Sequence, residues 1–397
     1  MKALVFRHNL AREAAAKISG EINSRGFTAA YAPVGVEDIP EPVPPAPGWV
    51  LCDTIVSGMC GSDAKQVFLN GARDNPLTAL ISFPHVLGHE VLARRRDTGE
   101  RVVLNPWLSC GPRGIDPPCP ACAQGRYPWC RNFTKGVLPA SIHLGNCAAA
   151  PGAHAETFTA HEGQLFAVPD GMSDEIAVLS DPVSVSLRSI VLAPPPAGSS
   201  VLVYGSGPLA LAAVALVRHL HPDSEVWVAC RPGRRADIAT RLGAHAVLPT
   251  DPDQLVDEVA RRTGSAALVP WNGKRWLQDG PSVVYDTVGS PETVETSLRL
   301  LDTGGSLVIS GVEPPKRFEW TLLYFKEIHV VGSNAFGVEE VRGQRKHAFE
   351  HYFDFVSEGL DLSPLVTHRW PLDQWDLAIQ ALAHRRRTGA VKVLLEP

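Results

Sequence analysis

Residues 201–210 read Val-Leu-Val-Tyr-Gly-Ser-Gly-Pro-Leu-Ala. An apolar run predicts a strand, Gly205-x-Gly207-x-x-Ala210 follows, and an apolar helical stretch continues through Leu209–Leu220. In such a loop the first glycine permits a tight turn and the second lets the backbone approach a pyrophosphate. The small third residue lets helix and strand pack closely. The phosphates then meet a helix N-terminus, whose unpaired N–H groups and dipole favour an anion. The flanking strand and helix make this pattern more specific than its glycines alone, and they predict a dinucleotide site at Gly205, Gly207, Pro208 and Leu209.

Outward from this loop, helical patterns alternate with short apolar runs at Val201–Tyr204, Val226–Cys230, Ala246–Leu248, Val283–Asp286, Ser306–Ser310 and Ile328–Val331. Strand–helix alternation of this kind predicts a parallel, doubly wound α/β sheet. In a site for NAD, the second strand ends in an acidic residue that binds the ribose 2′-hydroxyl. Here it runs into Cys230-Arg231-Pro-Gly-Arg234-Arg235 with no carboxylate. Arginines accommodate a 2′-phosphate, so Cys230, Arg231 and Arg235 favour NADP over NAD. The alternative is that these arginines merely open a solvated helix.

The first half differs. Met1–Phe6 reads as a strand, Ala11–Ile22 as a surface helix, and Val50–Ser57, Val86–Arg94 and Arg101–Leu104 as strands. A helix is expected at 345–358 and a last strand at Ala390–Leu395. Residues 105–150 are loop-like and carry Cys110, Cys119, Cys122 and Cys130. So long an irregular stretch needs a staple, and four thiolates suit tetrahedral zinc, with an iron–sulfur cluster as the alternative. Cys60, in Gly-Met-Cys-Gly-Ser-Asp, and His89-Glu90 provide scattered ligands of mixed type, as an open catalytic metal site would. The bland reading of His89 is a core histidine, and that of Asp181 is a helix cap before Pro182.

At 397 residues the chain should hold about two domains. Its net charge of −5 argues against nucleic-acid or anionic-membrane partners. Residues 1–20 lack a signal-peptide core, and there is no apolar run of membrane-spanning length. Eight cysteines in such a chain point to metal binding rather than disulfides, and a cytoplasmic location is expected.

Taken together, Gly-Met-Cys60-Gly-Ser-Asp, Leu-Gly88-His89-Glu90, the four-cysteine lobe, Leu-Ser-Asp181-Pro182, the Gly205 loop, Arg241-Leu-Gly-Ala244, Tyr285-Asp-Thr-Val-Gly289 and Gly389-Ala-Val-Lys392 resemble the zinc-dependent alcohol dehydrogenases of the medium-chain dehydrogenase/reductase superfamily over nearly the whole length. The resemblance implies a GroES-like, β-rich catalytic domain (1–185 and 337–397, with a zinc lobe at about 105–135) and a Rossmann domain (186–336), the active site lying in the cleft between them. It also implies a homodimer or homotetramer. Two zinc ions are expected per chain, a structural one on the four cysteines and a catalytic one on Cys60, His89 and Asp181, with Glu90 as a second, exchangeable ligand.

What the resemblance implies chemically is hydride transfer between an alcohol and NAD(P), with zinc as Lewis acid, Ser62 taking the alcohol proton, and Asp63 orienting His89. Three features depart from the family pattern. Eight residues, Gly111–Pro118, separate the first two lobe cysteines. Asp181 stands where a Cys or Glu is usual. Lys65 stands where the relay usually ends in histidine. Residues 9–30, 70–82 and 111–118 look inserted, and Trp107, Leu108, Phe83, His143 and Cys147 are candidates for the substrate pocket. Two alternatives remain: a zinc-free reductase of activated double bonds, which should lack Cys60, His89 and the lobe, and a non-catalytic nucleotide-binding member.

Overall fold

A computed structural model describes residues 1–70, 75–311, 313 and 318–397, so part of the 70–82 segment lies outside the described residues. By its contacts the chain divides into Met1–Asp181 with Val366–Pro397, and Pro182–Leu365.

The first unit is organised by the strand Trp49–Met59. Rich in β-branched residues, it suits a pleated, half-buried surface. One edge pairs antiparallel with Glu90–Arg95. The other takes two partners in succession, Thr157–His161 against Trp49–Asp53 and the C-terminal strand Lys392–Glu396 against Ser57–Met59. Arg101–Leu104 and Leu165–Ala167 extend the sheet on one side, and Val366–Pro371 extends it on the other. A smaller sheet joins Val34–Asp38, Lys2–Phe6 and His85–Val86. The expected strand Val86–Arg94 is thus two strands, broken at 87–89, where Gly88 takes φ +96°.

The inserted segment near the N-terminus forms the helix Leu10–Ile22 and a short 3-10 turn, Ser24–Thr28. Asn9 caps the helix by accepting from Arg12 N–H at 3.0 Å. Phe27 packs edge-on against Phe68, with ring centroids 5.2 Å apart, which braces the end of the helix Gly61–Val67.

In the second unit six parallel strands run in the order Ala246–Leu248, Glu225–Ala229, Ser200–Tyr204, Val283–Asp286, Ser306–Ile309, His329–Gly332. The direction of winding reverses at Ser200–Tyr204, the position where open α/β sheets bind ligands. The helix Pro208–Leu220 is buried from Ala210 through Val217, matching its apolar composition on every face.

The expectation placed 337–397 whole with the first domain. Residues 337–365 instead pack in the second unit. There the hairpin Val338–Val341/Gln344–His347 and the helix Ala348–Ser357 are tied down by Arg188–Glu339 (2.7 Å) and His219–Glu358 (2.8 Å). Among the described residues, no helix is long and apolar enough to cross a membrane.

Candidate functional site

Strand register assembles the first constellation. Gly58 pairs with Glu90, and Cys60 follows two residues on as the N-cap of the helix Gly61–Val67, so the sheet itself carries Cys60 to the His89–Glu90 corner. The ligand atoms of Cys60, His89 and Glu90 all lie within 4.8 Å of one another. Asp63 closes the turn, its Oδ2 accepting from Cys60 N–H at 3.0 Å. Its Oδ1 stands 3.6 Å from His89 Nδ1.

Asp181, the expected third ligand, is not part of this mutually close set. It is buried in the first turn of the helix Ser180–Leu192, whose own packing fixes its position, whereas Glu90 comes with the strand that follows His89. Glu90 and Lys392, both almost wholly buried, form an ion pair through Glu90 Oε2.

The electrostatics are those of buried anions gathered around a place for a cation. Burial disfavours the His89 imidazolium, but Asp63 and Cys60 outweigh it and hold His89 well above the usual histidine range. Asp63, despite burial, is held well below the carboxylate range by His89 and His154. Burial pushes the Asp181 carboxyl up to about 7, with His89 pulling the other way. Burial works to push the Lys392 ammonium down, yet Glu90 and Cys60 keep it above its ordinary value. The same field that draws a proton to His89 would draw a metal ion, and Cys, His and carboxylate donors suit zinc.

The second constellation is local. Cys110, Cys119, Cys122 and Cys130 place their sulfurs within 4.8 Å of one another. Four thiolates held about 2.3 Å from a tetrahedral centre lie about 3.8 Å apart, and Cys110 and Cys130 are 3.7 Å apart. Cys110 Sγ accepts from Cys119 N–H (3.3 Å) and Asn132 Nδ2 (3.2 Å), and Cys130 Sγ accepts from Asn132 N–H (3.4 Å). Donors aimed at sulfur favour thiolate. Burial opposes ionisation of Cys119, but the N–H groups of Arg131 and Cys122 bring it down to about 6.

The inserted 111–118 segment contributes Arg113, wholly buried and with no carboxylate ion-pair partner among the described residues. Its guanidinium donates to the carbonyls of Leu108, Lys135, Leu138, Pro139 and Ser141 at 2.7–3.0 Å. An arginine in the insertion thereby fastens the loop that follows the lobe.

In the second unit Gly205 adopts φ +120°, and a Cβ there would stand 2.4 Å from Thr287 Oγ1, so only glycine makes this turn. Gly207 caps the helix Pro208–Leu220 with no side-chain hydrogen bond to its first N–H groups, and Pro208 sits at the first turn. These N–H groups are free of side-chain caps, as a phosphate cradle requires. Leu209 follows in the same turn. Cys230 is buried at the end of its strand, its N–H donating to Leu248 O at 3.2 Å. Arg231 is exposed and Arg235 half-buried, where burial lowers its pKa.

Ser62 and Lys65 both lie exposed on the helix Gly61–Val67, three residues apart and so on one face. Of the pocket candidates, His143 packs its ring 4.7 Å from that of His89, and Trp107 lies 6.2 Å from His143. Burial pushes His143 down to about 3, which keeps it neutral there. Leu108 and Cys147 belong to the hydrophobic core around Trp49 and Phe158, and Phe83 is partly exposed against Phe6 and His85. Sequence reasoning assigned no role to Lys392, Arg113 or His154. Lys392 stood in a quoted motif, whereas Arg113 and His154 carry no local signal.

The profile of the alcohol dehydrogenase GroES-like domain matches residues 46–170, and that of zinc-binding dehydrogenases matches residues 208–357. L-threonine 3-dehydrogenase of Rhizobium etli (strain CIAT 652) is 27% identical over 374 residues, spanning 91% of this chain and 94% of that protein. Sorbitol dehydrogenase of Bacillus subtilis (strain 168) is 24% identical over 368 residues, spanning 88% and 90%. A solved structure from Sinorhizobium meliloti 1021, described as a zinc-binding dehydrogenase and bound to NADP, superposes with a TM-score of 0.69 at 27% identity, over 92% of this chain and 95% of that one.

Proposed function

This chain belongs to the zinc-dependent alcohol dehydrogenases of the medium-chain dehydrogenase/reductase superfamily, and on that premise we propose which residues divide the work, which nicotinamide it uses and how many metal ions it holds. It is an oxidoreductase that moves hydride between a small-molecule alcohol and its carbonyl form with a nicotinamide cofactor.

The observation that carries the residue assignment is the mutually close set of Cys60, His89 and Glu90 beside a separate four-thiolate lobe. Two ligand sets support two zinc ions per chain. Cys60 and His89 hold the catalytic one together with a carboxylate. Glu90 is the nearer candidate, and Asp181 the one that can exchange with it. Zinc bound there supplies Lewis acidity, lowering the pKa of a coordinated hydroxyl. Asp63 fixes the tautomer of His89 so that the other ring nitrogen faces the metal. With alcohol and nicotinamide bound, Ser62 would accept the O–H proton while passing its own on, as the carbinol C–H electron pair went to the cofactor as hydride and the C=O bond formed. Lys65, exposed on the same helix face, would take that proton only as the neutral amine, and as the ammonium it would instead donate to the cofactor ribose.

The cofactor reading is NADP over NAD. It is supported by Cys230 standing where NAD sites carry an acid, by Arg231 and Arg235 beyond it, and by the NADP held in the Sinorhizobium relative. The test is kcat/KM for both cofactors, with a panel of polyols, hydroxy amino acids and simple alcohols, on protein whose zinc content is measured. An NAD advantage rejects the cofactor reading, and fewer than two zincs per chain rejects the paired sites.

A homodimer or homotetramer is part of the same proposal. The edge strand His329–Gly332 and nearby Tyr324 and Phe325 are largely exposed, and unpaired sheet edges invite a second copy. Light scattering of Val330→Arg should show a smaller assembly. We place the chain in the cytoplasm on its eight cysteines, none of them paired in a disulfide, and cell fractionation checks it.

A further inference from the structure

We propose that His154 is a positioning residue for the metal centre: together with Ser57 it fixes Asp63, and through Asp63 the orientation of His89. The inference rests on reading Cys60 and His89 as metal ligands.

His154 is wholly buried, although nothing in its sequence context suggests chemistry. Its backbone is pinned between the bend that carries His89 and the strand Lys2–Phe6. Its N–H donates to Leu87 O at 2.9 Å, and its carbonyl accepts from Leu4 N–H at 2.8 Å. A Cβ on Gly88 would stand 2.6–2.7 Å from His154 backbone N and ring atoms. Bend and imidazole are therefore packed as one piece, with glycine required between them.

The ring bridges two polar groups. Nδ1 lies 2.8 Å from Ser57 Oγ, and Nε2 lies 3.5 Å from Asp63 Oδ2. Asp63 Oδ1 in turn lies 3.6 Å from His89 Nδ1. These two contacts are longer than hydrogen bonds. Even so, Asp63 Oδ1, His89 Nδ1 and His154 Nε2 are buried atoms without another hydrogen-bond partner, and they face one another. A buried carboxylate requires donors or cations on its oxygens. Besides Cys60 N–H, the two histidines are what the protein places there.

Asp63 selects the tautomer, because a buried carboxylate facing Nε2 favours the ring proton there, and Ser57 Oγ then donates to Nδ1 at 2.8 Å rather than to Leu395 O at 3.4 Å. The same logic one step on puts the His89 proton on Nδ1 and leaves its Nε2 for a metal. Four residues, Ser57, His154, Asp63 and His89, thus form a line from the core of the sheet to the ligand, and its second member lies outside every motif in the sequence.

The test compares zinc content, thermal midpoint and the rate of zinc transfer to a chromogenic chelator for the wild-type protein, His154→Phe, His154→Gln and Ser57→Ala. Phenylalanine keeps the ring volume without its nitrogens, and glutamine offers an amide N–H near the place of Nε2. Loss of an outer partner of a metal-binding histidine typically weakens metal binding about 10–100-fold. His154→Phe should therefore release one zinc faster by about that factor while the lobe zinc and the melting midpoint stay near wild type. His154→Gln should recover part of the difference, and Ser57→Ala should shift release in the same direction by less. Wild-type release kinetics in His154→Phe overturn the inference alone. So does acceleration of both zincs together with a lowered midpoint, which marks a merely structural role. A wild-type protein that holds zinc only in the lobe overturns the metal reading itself, and the inference with it.

Discussion

The four-cysteine lobe and the Cys60–His89–Glu90 centre are two ligand sets in one unit, built in opposite ways. The lobe draws every ligand from the stretch Cys110–Cys130, which has almost no regular structure beyond the short turns Pro120–Ala123 and Tyr127–Trp129. The other centre draws its candidate ligands from the ends of two paired strands, held by the backbone bonds of the sheet. In the first a bound metal would substitute for secondary structure. In the second, secondary structure already gathers the groups that would hold one. Loss of metal should therefore register as a folding defect in the lobe and as a functional defect at the strand ends.

The largest expected effect breaks the comparison directly. Cys119→Ser should lower the yield of folded protein severely, because structural zinc contributes on the order of 10 kcal/mol to folding in small zinc domains. Cys60→Ser should fold with a melting midpoint close to wild type yet lose activity by about 10³-fold or more, since Lewis-acid stabilisation is worth several kcal/mol. Expression yield, circular dichroism and turnover of the two variants decide it. Equal folding defects in both would erase the distinction.

Next in size, Ser62→Ala should lower kcat by about 10²–10⁴-fold, the usual range for a general acid–base group, with zinc content and cofactor affinity retained. A rate near wild type would send the proton by another route. Lys65→Ala separates the two roles left to that residue. A changed pH profile marks the relay, and a raised cofactor KM with an unchanged profile marks ribose binding.

Arg231→Ala should weaken the use of NADP selectively. Hydrogen bonds to charged groups contribute roughly 1.5–3 kcal/mol, or about 10–150-fold in kcat/KM. An equal loss with NAD would show that the arginine only shapes the loop.

The smallest effect sharpens the choice between carboxylates. Burial raises the Asp181 carboxyl from 3.8 to about 7. In metal-stripped protein the folded state then holds a proton that the unfolded chain has released. That stabilisation is complete below about pH 4 and is lost as the pH rises to about 7. Asp181→Asn should flatten this decline in denaturant titrations of stripped protein. In zinc-loaded protein, Glu90→Gln should shed the catalytic zinc faster than Asp181→Asn does. The reverse order would restore Asp181 as the principal ligand.

Much of this was legible in the chain. Strand–helix alternation located the six parallel strands to within a residue or two, because their periodicity is a local property. The Gly205 loop and the four cysteines were equally plain, since each motif carries its geometry in contiguous residues. The continuous strand expected over Val86–Arg94 missed the break at 87–89, because Val86-Leu87 and Val91–Ala93 are both strand-like and pattern alone does not reveal a positive φ at Gly88.

The fold class, the nucleotide loop, the grouping of the four lobe cysteines and the nearness of Cys60 to His89 could thus be read from short motifs or local periodicity. Only the folded chain brings the Glu90 carboxylate within 4.8 Å of Cys60 and His89, since this depends on Gly58 standing opposite Glu90 rather than on the identity of either residue. Tertiary structure also decided that Lys392, 302 positions away in sequence, neutralises Glu90, that His154 backs Asp63, and that 337–365 packs in the second unit. Contacts across such separations are selected by register and burial in the assembled sheet, and a one-residue slip in a strand would turn every one of those side chains to the other face.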